Sequence, residues 1–90
     1  MTTYKKDPNA TLDYLFDWSA WLTEVSDSIA SVEWVLSSGL TKVSESSTTT
    51  SATVFVSGGT LDETETITCR ITTNGGRIDD RTINLKITSR

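Results

Sequence analysis

Ninety residues with a net charge of −4 fit one domain with one thin core and leave no room for a substrate cavity of several hundred Å³ besides. Only eight Lys and Arg are present, too few to cluster on a phosphate backbone, which excludes a nucleic-acid binder. Histidine is absent and cysteine occurs once. That excludes an internal disulfide, a tetrahedral zinc site and the usual base for a serine or cysteine nucleophile.

The first seven residues read as an irregular arm, free to reach a neighbour, ending at Asp7-Pro8. The single domain is expected over residues 8–90. Its first strand runs Leu12–Trp18, where Leu12, Tyr14, Phe16 and Trp18 alternate with Asp13, Leu15 and Asp17; this two-residue period marks one apolar face. Ser19 is expected to N-cap a short helical turn through Ala20, Trp21 and Leu22, with Glu24 in its first turn. A second strand covers Ile29–Leu36, with Ala30, Val32, Trp34 and Leu36 on one face. Ser37-Ser38-Gly39 turns the chain into a weaker strand, Leu40–Ser46, around Val43. The polar run 44–51 (SESSTTTS) is loop-like, although threonine pairs well across strands and could extend an edge strand.

The later strands are more regular. Ala52, Val54 and Val56 alternate with polar neighbours up to Gly58-Gly59. Over Glu65–Thr73, Ile67, Cys69 and Ile71 point inward and Thr66, Thr68, Arg70 and Thr72 outward. Asn74-Gly75-Gly76 marks a hairpin. The return strand reaches Thr88 with Ile83, Leu85 and Ile87 inward. Short strands with turns every 8–12 residues or so predict an all-β fold: a small immunoglobulin-like Greek-key sandwich of six to seven strands with one short helical turn. Its expected core is Trp34, Val54, Val56, Ile67, Cys69, Ile71, Ile83, Leu85 and Ile87, with Cys69 acting as a small hydrophobe. Ser and Thr supply 29 of the 90 residues, as suits exposed strand faces.

No residues suggest a catalytic centre, a cofactor or a metal site. Gly58-Gly59 and Gly75-Gly76 end or link strands and open no helix, so they are not phosphate loops. The acidic groups Asp62-Glu63-Glu65 and Asp79-Asp80 do not follow an EF-hand pattern. The second lies between Arg77 and Arg81, and local pairing is the simplest expectation for it. No apolar run is long enough to span a membrane and no signal peptide opens the chain. Assembly in a cytoplasm is therefore expected, and Asn9-Ala10-Thr11 is not read as a glycosylation site. The charge is uneven: three basic and ten acidic residues precede Arg70, while five basic and two acidic residues follow from it. A module with two unlike ends can dock in a fixed orientation.

Several segments taken together resemble a known family. They are D-P-x-A-x-L-D-Y, D-W-S-x-W-L, IASVEW, SGL, TVFVSGG and TITCRITTNGGRIDDRTINLKI, in that order from Asp7 to Ile87. The chain resembles small fibre–tail adaptor-like virion proteins of tailed bacteriophages with an immunoglobulin-like fold. Asp17-Trp18-Ser19 with Trp21-Leu22, and the block from Gly76 to Thr82, are the most specific pieces. The resemblance implies a non-enzymatic structural role in multiple copies in the virion, bridging tail, fibre or capsid proteins, with no nucleic-acid, membrane or cofactor partner.

On that reading Tyr14, Trp18 and Trp21 are candidate partner anchors, and Arg77 and Arg81 would orient the contact. The aromatics serve equally as intramolecular core, and Trp21, past the strand end, is the one expected to be exposed or to plug an end of the sandwich. Two other readings are capsid decoration and a module binding host-surface carbohydrate through Tyr14, Asp17 and Trp21.

Overall fold

The structure is a computed structural model and describes residues 2–89. Seven strands and one helix follow in the order β1 (Thr2–Lys6), β2 (Leu12–Asp17), α1 (Ser19–Glu24), β3 (Ile29–Leu36), β4 (Leu40–Ser47), β5 (Ser51–Gly58), β6 (Thr64–Thr73) and β7 (Ile78–Ile87). They form two sheets, β1-β7-β6-β3 and β2-β5-β4. All pairings are antiparallel except β1 with β7. The all-β sandwich expected from the alternation is therefore present.

The core is built by the inward sets of the two sheets. Ala52, Val54 and Val56 of β5 face Ile67, Cys69 and Ile71 of β6 and Leu85 and Ile87 of β7, and all are fully buried. Each such aliphatic side chain contributes about 1.5–3 kcal/mol on leaving water. Phe16 of β2 meets Trp34 of β3 edge-on, with centroids 5.4 Å apart. Trp34 and Ile83 are only partly buried and pack against the core rather than inside it. Leu22 and Leu40 complete the core.

Several local expectations are corrected. The stretch expected as a free arm is a strand: Thr2–Lys6 pairs in parallel with Ile83–Ile87, while Met1 lies outside the described residues. Its sequence, TTYKK, hides this because an edge strand needs few apolar residues. Trp18, not Ser19, is the N-cap residue of α1. The Ser19 N–H instead bonds back to the Asp17 carboxylate at 2.9 Å, an Asx-type turn, and Glu24 closes the helix. In β3 the register shifts between Ile29 and Ser31, so Ile29 is buried and Ala30 exposed. A second shift, between Lys42 and Ser44, leaves Val43 exposed in a bulge of β4. The polar run does extend that edge strand, to Ser47.

Candidate partner-binding surface

One end of the sandwich gathers α1 with its following loop, the β4–β5 turn and the β6–β7 hairpin. Backbone bonds lock them together: Trp18 N–H to Thr50 O at 2.9 Å, Ile29 N–H to Thr49 O at 2.8 Å and Asn74 N–H to Ser28 O at 3.0 Å. Trp18 is fully buried there. The Arg81 guanidinium lies 4.2 Å from the centre of its ring and donates from Nη1 to Asp17 O at 2.6 Å. Arg81 reaches this position because its register partner across β6–β7 is Cys69, so it points to the inner side of the sheet. A stacked guanidinium both covers the indole and keeps its charge in water. Trp21 packs beside Trp18 with centroids 6.0 Å apart and stays partly exposed. Burial pushes the Cys69 thiol up to about 11, with the Trp18 indole acting in the other direction.

Asp27 organises the rest of this end. Its carboxylate accepts from Gly75 N–H at 3.0 Å, Ser28 N–H at 2.8 Å and Arg77 Nη1 at 2.9 Å. Only 5% of its side chain is exposed. A hydrogen bond from Thr73, with those from Ser28, Gly75 and Arg77, holds its pKa down to about 2 against the opposing effect of burial. Asn74 Nδ2 to Ser28 Oγ, 2.6 Å, adds a further tie between the same two loops.

The five sequence-derived candidates therefore divide. Trp18, Trp21 and Arg81 come together at one corner. Arg77 lies at the same end, but it is engaged by Asp27 rather than by Asp79 or Asp80. Asp80 pairs with Arg70 instead, Nε to Oδ1 at 2.8 Å, and Glu33 stands 3.7 Å from the same guanidinium; cross-strand register decides this, since Arg70 is directly opposite Asp80. Tyr14 is 9% exposed on the inner face and packs against Tyr4 with the rings tilted and their centroids 5.5 Å apart. Trp18 and Tyr14 are thus core residues of the folded chain, which leaves Trp21 as the accessible aromatic of the three. Tyr14 and Asp17 occupy opposite faces of β2, so they do not form one sugar platform with Trp21.

Other surfaces offer little concavity. A shallow open depression is lined by Asp7, Asn9, Ala10 and Leu12. Glu65, grouped by sequence with Asp62 and Glu63, is buried and turned towards Ser37. Among the described residues no group of three or more acidic or cysteine side chains is placed to hold a metal ion. No described helix is long and apolar enough to cross a membrane.

The chain is thus an all-β sandwich module of seven strands in two sheets with one short helix, and Trp21 stands partly exposed at one end of it. A family model described as podophage GP4 fiber-tail adaptor protein gp77 matches residues 6–86, and the chain belongs to that family, a family of phage structural proteins. Comparison with the curated proteins returned no match.

Proposed function

We propose that this chain is a non-enzymatic virion adaptor of the immunoglobulin-like type, assembled in the host cytoplasm and present in several copies, that bridges tail and fibre proteins. The observation that carries the reading is the family match over residues 6–86. The strand order supports the immunoglobulin-like assignment. Lettered A to G in chain order, the sheets are B-E-D and C-F-G with A moved onto G, close to the division seen in that fold. The end carrying α1 supports a docking role, because its loops are fixed before a partner arrives and little ordering entropy is lost on binding.

Trp21 is the proposed anchor, with Arg77 at the same end to orient the contact, while Trp18 and Arg81 act as the platform beside Trp21. The reading involves no cofactor, nucleic acid or membrane. Trp21→Ala is expected to leave a folded, soluble protein that no longer co-purifies with tail or fibre proteins and fails in particle assembly. Unfolding of that variant would instead make Trp21 a core residue and remove it as the anchor. Co-purification with capsid proteins alone would favour decoration, and binding on a glycan array would favour carbohydrate recognition.

A further inference from the structure

Each sheet has two edges, and three of the edge strands carry a feature that discourages the addition of a further strand. β1 is only five residues long. β2 bears Asp13 and Asp17. β4 is interrupted by the bulge after Lys42 and is polar beyond it. β3 is different. Past the irregularity between Ile29 and Ser31 it pairs regularly with β6 as far as Leu36, and Glu33 is its only charged residue.

The register identifies which backbone groups of β3 are open. Ser37 N–H donates to Thr66 O, so Ser31, Glu33 and Val35, in step with it, turn their backbone groups to β6. In an antiparallel ladder the residues between them face the other way. Val32, Trp34 and Leu36 therefore aim their N–H and C=O groups at the outer edge of the sheet, where no described strand lies. The side chains of these three residues are only partly buried, although their register partners Ile71, Cys69 and Ile67 are fully buried. β4 comes near β3 from the other sheet, but it buries only Leu40 and offers them little apolar cover. On the outer face Val35 is 46% exposed. Glu33 lies 3.7 Å from Arg70, whose guanidinium is held more closely by Asp80 at 2.8 and 3.1 Å. The Glu33 carboxylate, 62% exposed, thus has room for a closer cation.

We propose that β3 is a docking edge for an extended segment of a different virion protein, which adds to the sheet as its next strand. Backbone bonds to Val32, Trp34 and Leu36 supply affinity, and side chains at alternate positions supply specificity. Segment residues opposite these three share their face; they are apolar and complete the cover of Trp34. The residues between them stand beside Glu33 and Val35, and one of them is Lys or Arg. The inference rests on the adaptor reading and adds the chemistry of one partner.

A density map of the wild-type phage particle and two variants test it. Val32→Pro removes an N–H from the outer edge that the β3–β6 ladder does not use; Val32→Ala trims the same side chain and keeps that N–H. The map is expected to show a strand of an unlike protein bonded along β3, with a Lys or Arg against Glu33. Particles made with Val32→Ala are expected to hold as much of this chain as wild-type particles. Those made with Val32→Pro are expected to have lost most of it, while both purified variants keep the wild-type circular-dichroism spectrum. A bare β3 edge, an edge covered by another copy of this chain, or equal incorporation of the two variants each overturns the proposal. If Val32→Pro does not fold, the map decides alone. A chain that joins tail to fibre with β3 bare removes this inference only; a chain that joins neither removes the adaptor reading as well.

Discussion

The two ends of the sandwich are closed by different chemistry. At the α1 end Trp18 fills the opening, Arg81 covers it, and a well-enclosed carboxylate, Asp27, bonds to loops on both sides. At the opposite end two charged side chains are buried in place of an aromatic one. Lys6 is fully buried, and its ammonium donates to Ala10 O at 2.6 Å, Gly58 O at 2.7 Å and Asp7 O at 3.0 Å. These three bonds use all of its donors, and burial lowers its pKa. Glu65 is 7% exposed and accepts from Ser37 Oγ at 2.7 Å and Thr60 N–H at 3.3 Å. Gly59, at φ +109°, passes so near Ile87 that a Cβ would come within 2.6 Å of its side chain, so the chain can turn here only as glycine. An aromatic plug can lend part of its surface to a partner, the role proposed for Trp21. An end built on buried charges has its polar groups already committed, and it serves as the fixed base that holds β1 and the neighbouring turns.

Mutations at each end can break or sharpen that contrast. The largest effect is expected for Trp18→Ala, about 3–5 kcal/mol of lost stability, read as a fall in the urea midpoint. A loss below 1 kcal/mol would show that Trp18 is dispensable for closure. Lys6→Met should cost about 2–3 kcal/mol, because carbonyls of Asp7, Ala10 and Gly58 lose a charged donor. An unchanged midpoint would mean that water replaces the ammonium there, and that this end is not closed by charge.

A smaller, pH-bound effect is expected for Asp27→Asn. The folded pKa of Asp27 is about 2, below its ordinary 3.8. Its contribution is therefore complete above about pH 4 and is lost as pH falls towards 2. Thermal melts through this window should fall more steeply for the native chain than for Asp27→Asn; equal slopes would locate the acid sensitivity elsewhere. The smallest change is expected for Arg81→Ala, about 0.5–1 kcal/mol, with Trp18 fluorescence becoming more accessible to a soluble quencher. Unchanged quenching would mean that Arg81 does not shield the ring.

Much of the fold is legible in the residue pattern. Val54, Val56, Ile67, Cys69, Ile71, Leu85 and Ile87 repeat every second position in three strands and all are buried, because a pleated strand turns alternate side chains to one side. The hairpin at Asn74-Gly75-Gly76 is equally visible, and Gly76 has φ +88°. Less legible are the features that link distant segments. Asp27 and Arg77 are 50 residues apart, and Arg81 and Asp17 are 64 apart. Nothing local to either partner signals the other. β1 is masked for a related reason: it is stabilised by ladder bonds to β7 and one buried lysine, while its sequence reads as a polar tail.

By itself, then, the sequence determined the all-β class, the inward sets of β5, β6 and β7, and the exclusion of histidine- or disulfide-based chemistry, since period and composition are local properties. The tertiary structure alone decided which aromatics are accessible, which acid meets which base, and that a lysine rather than an apolar side chain seals one end. Those outcomes depend on strand register and on burial, and both are fixed only when the two sheets close on each other.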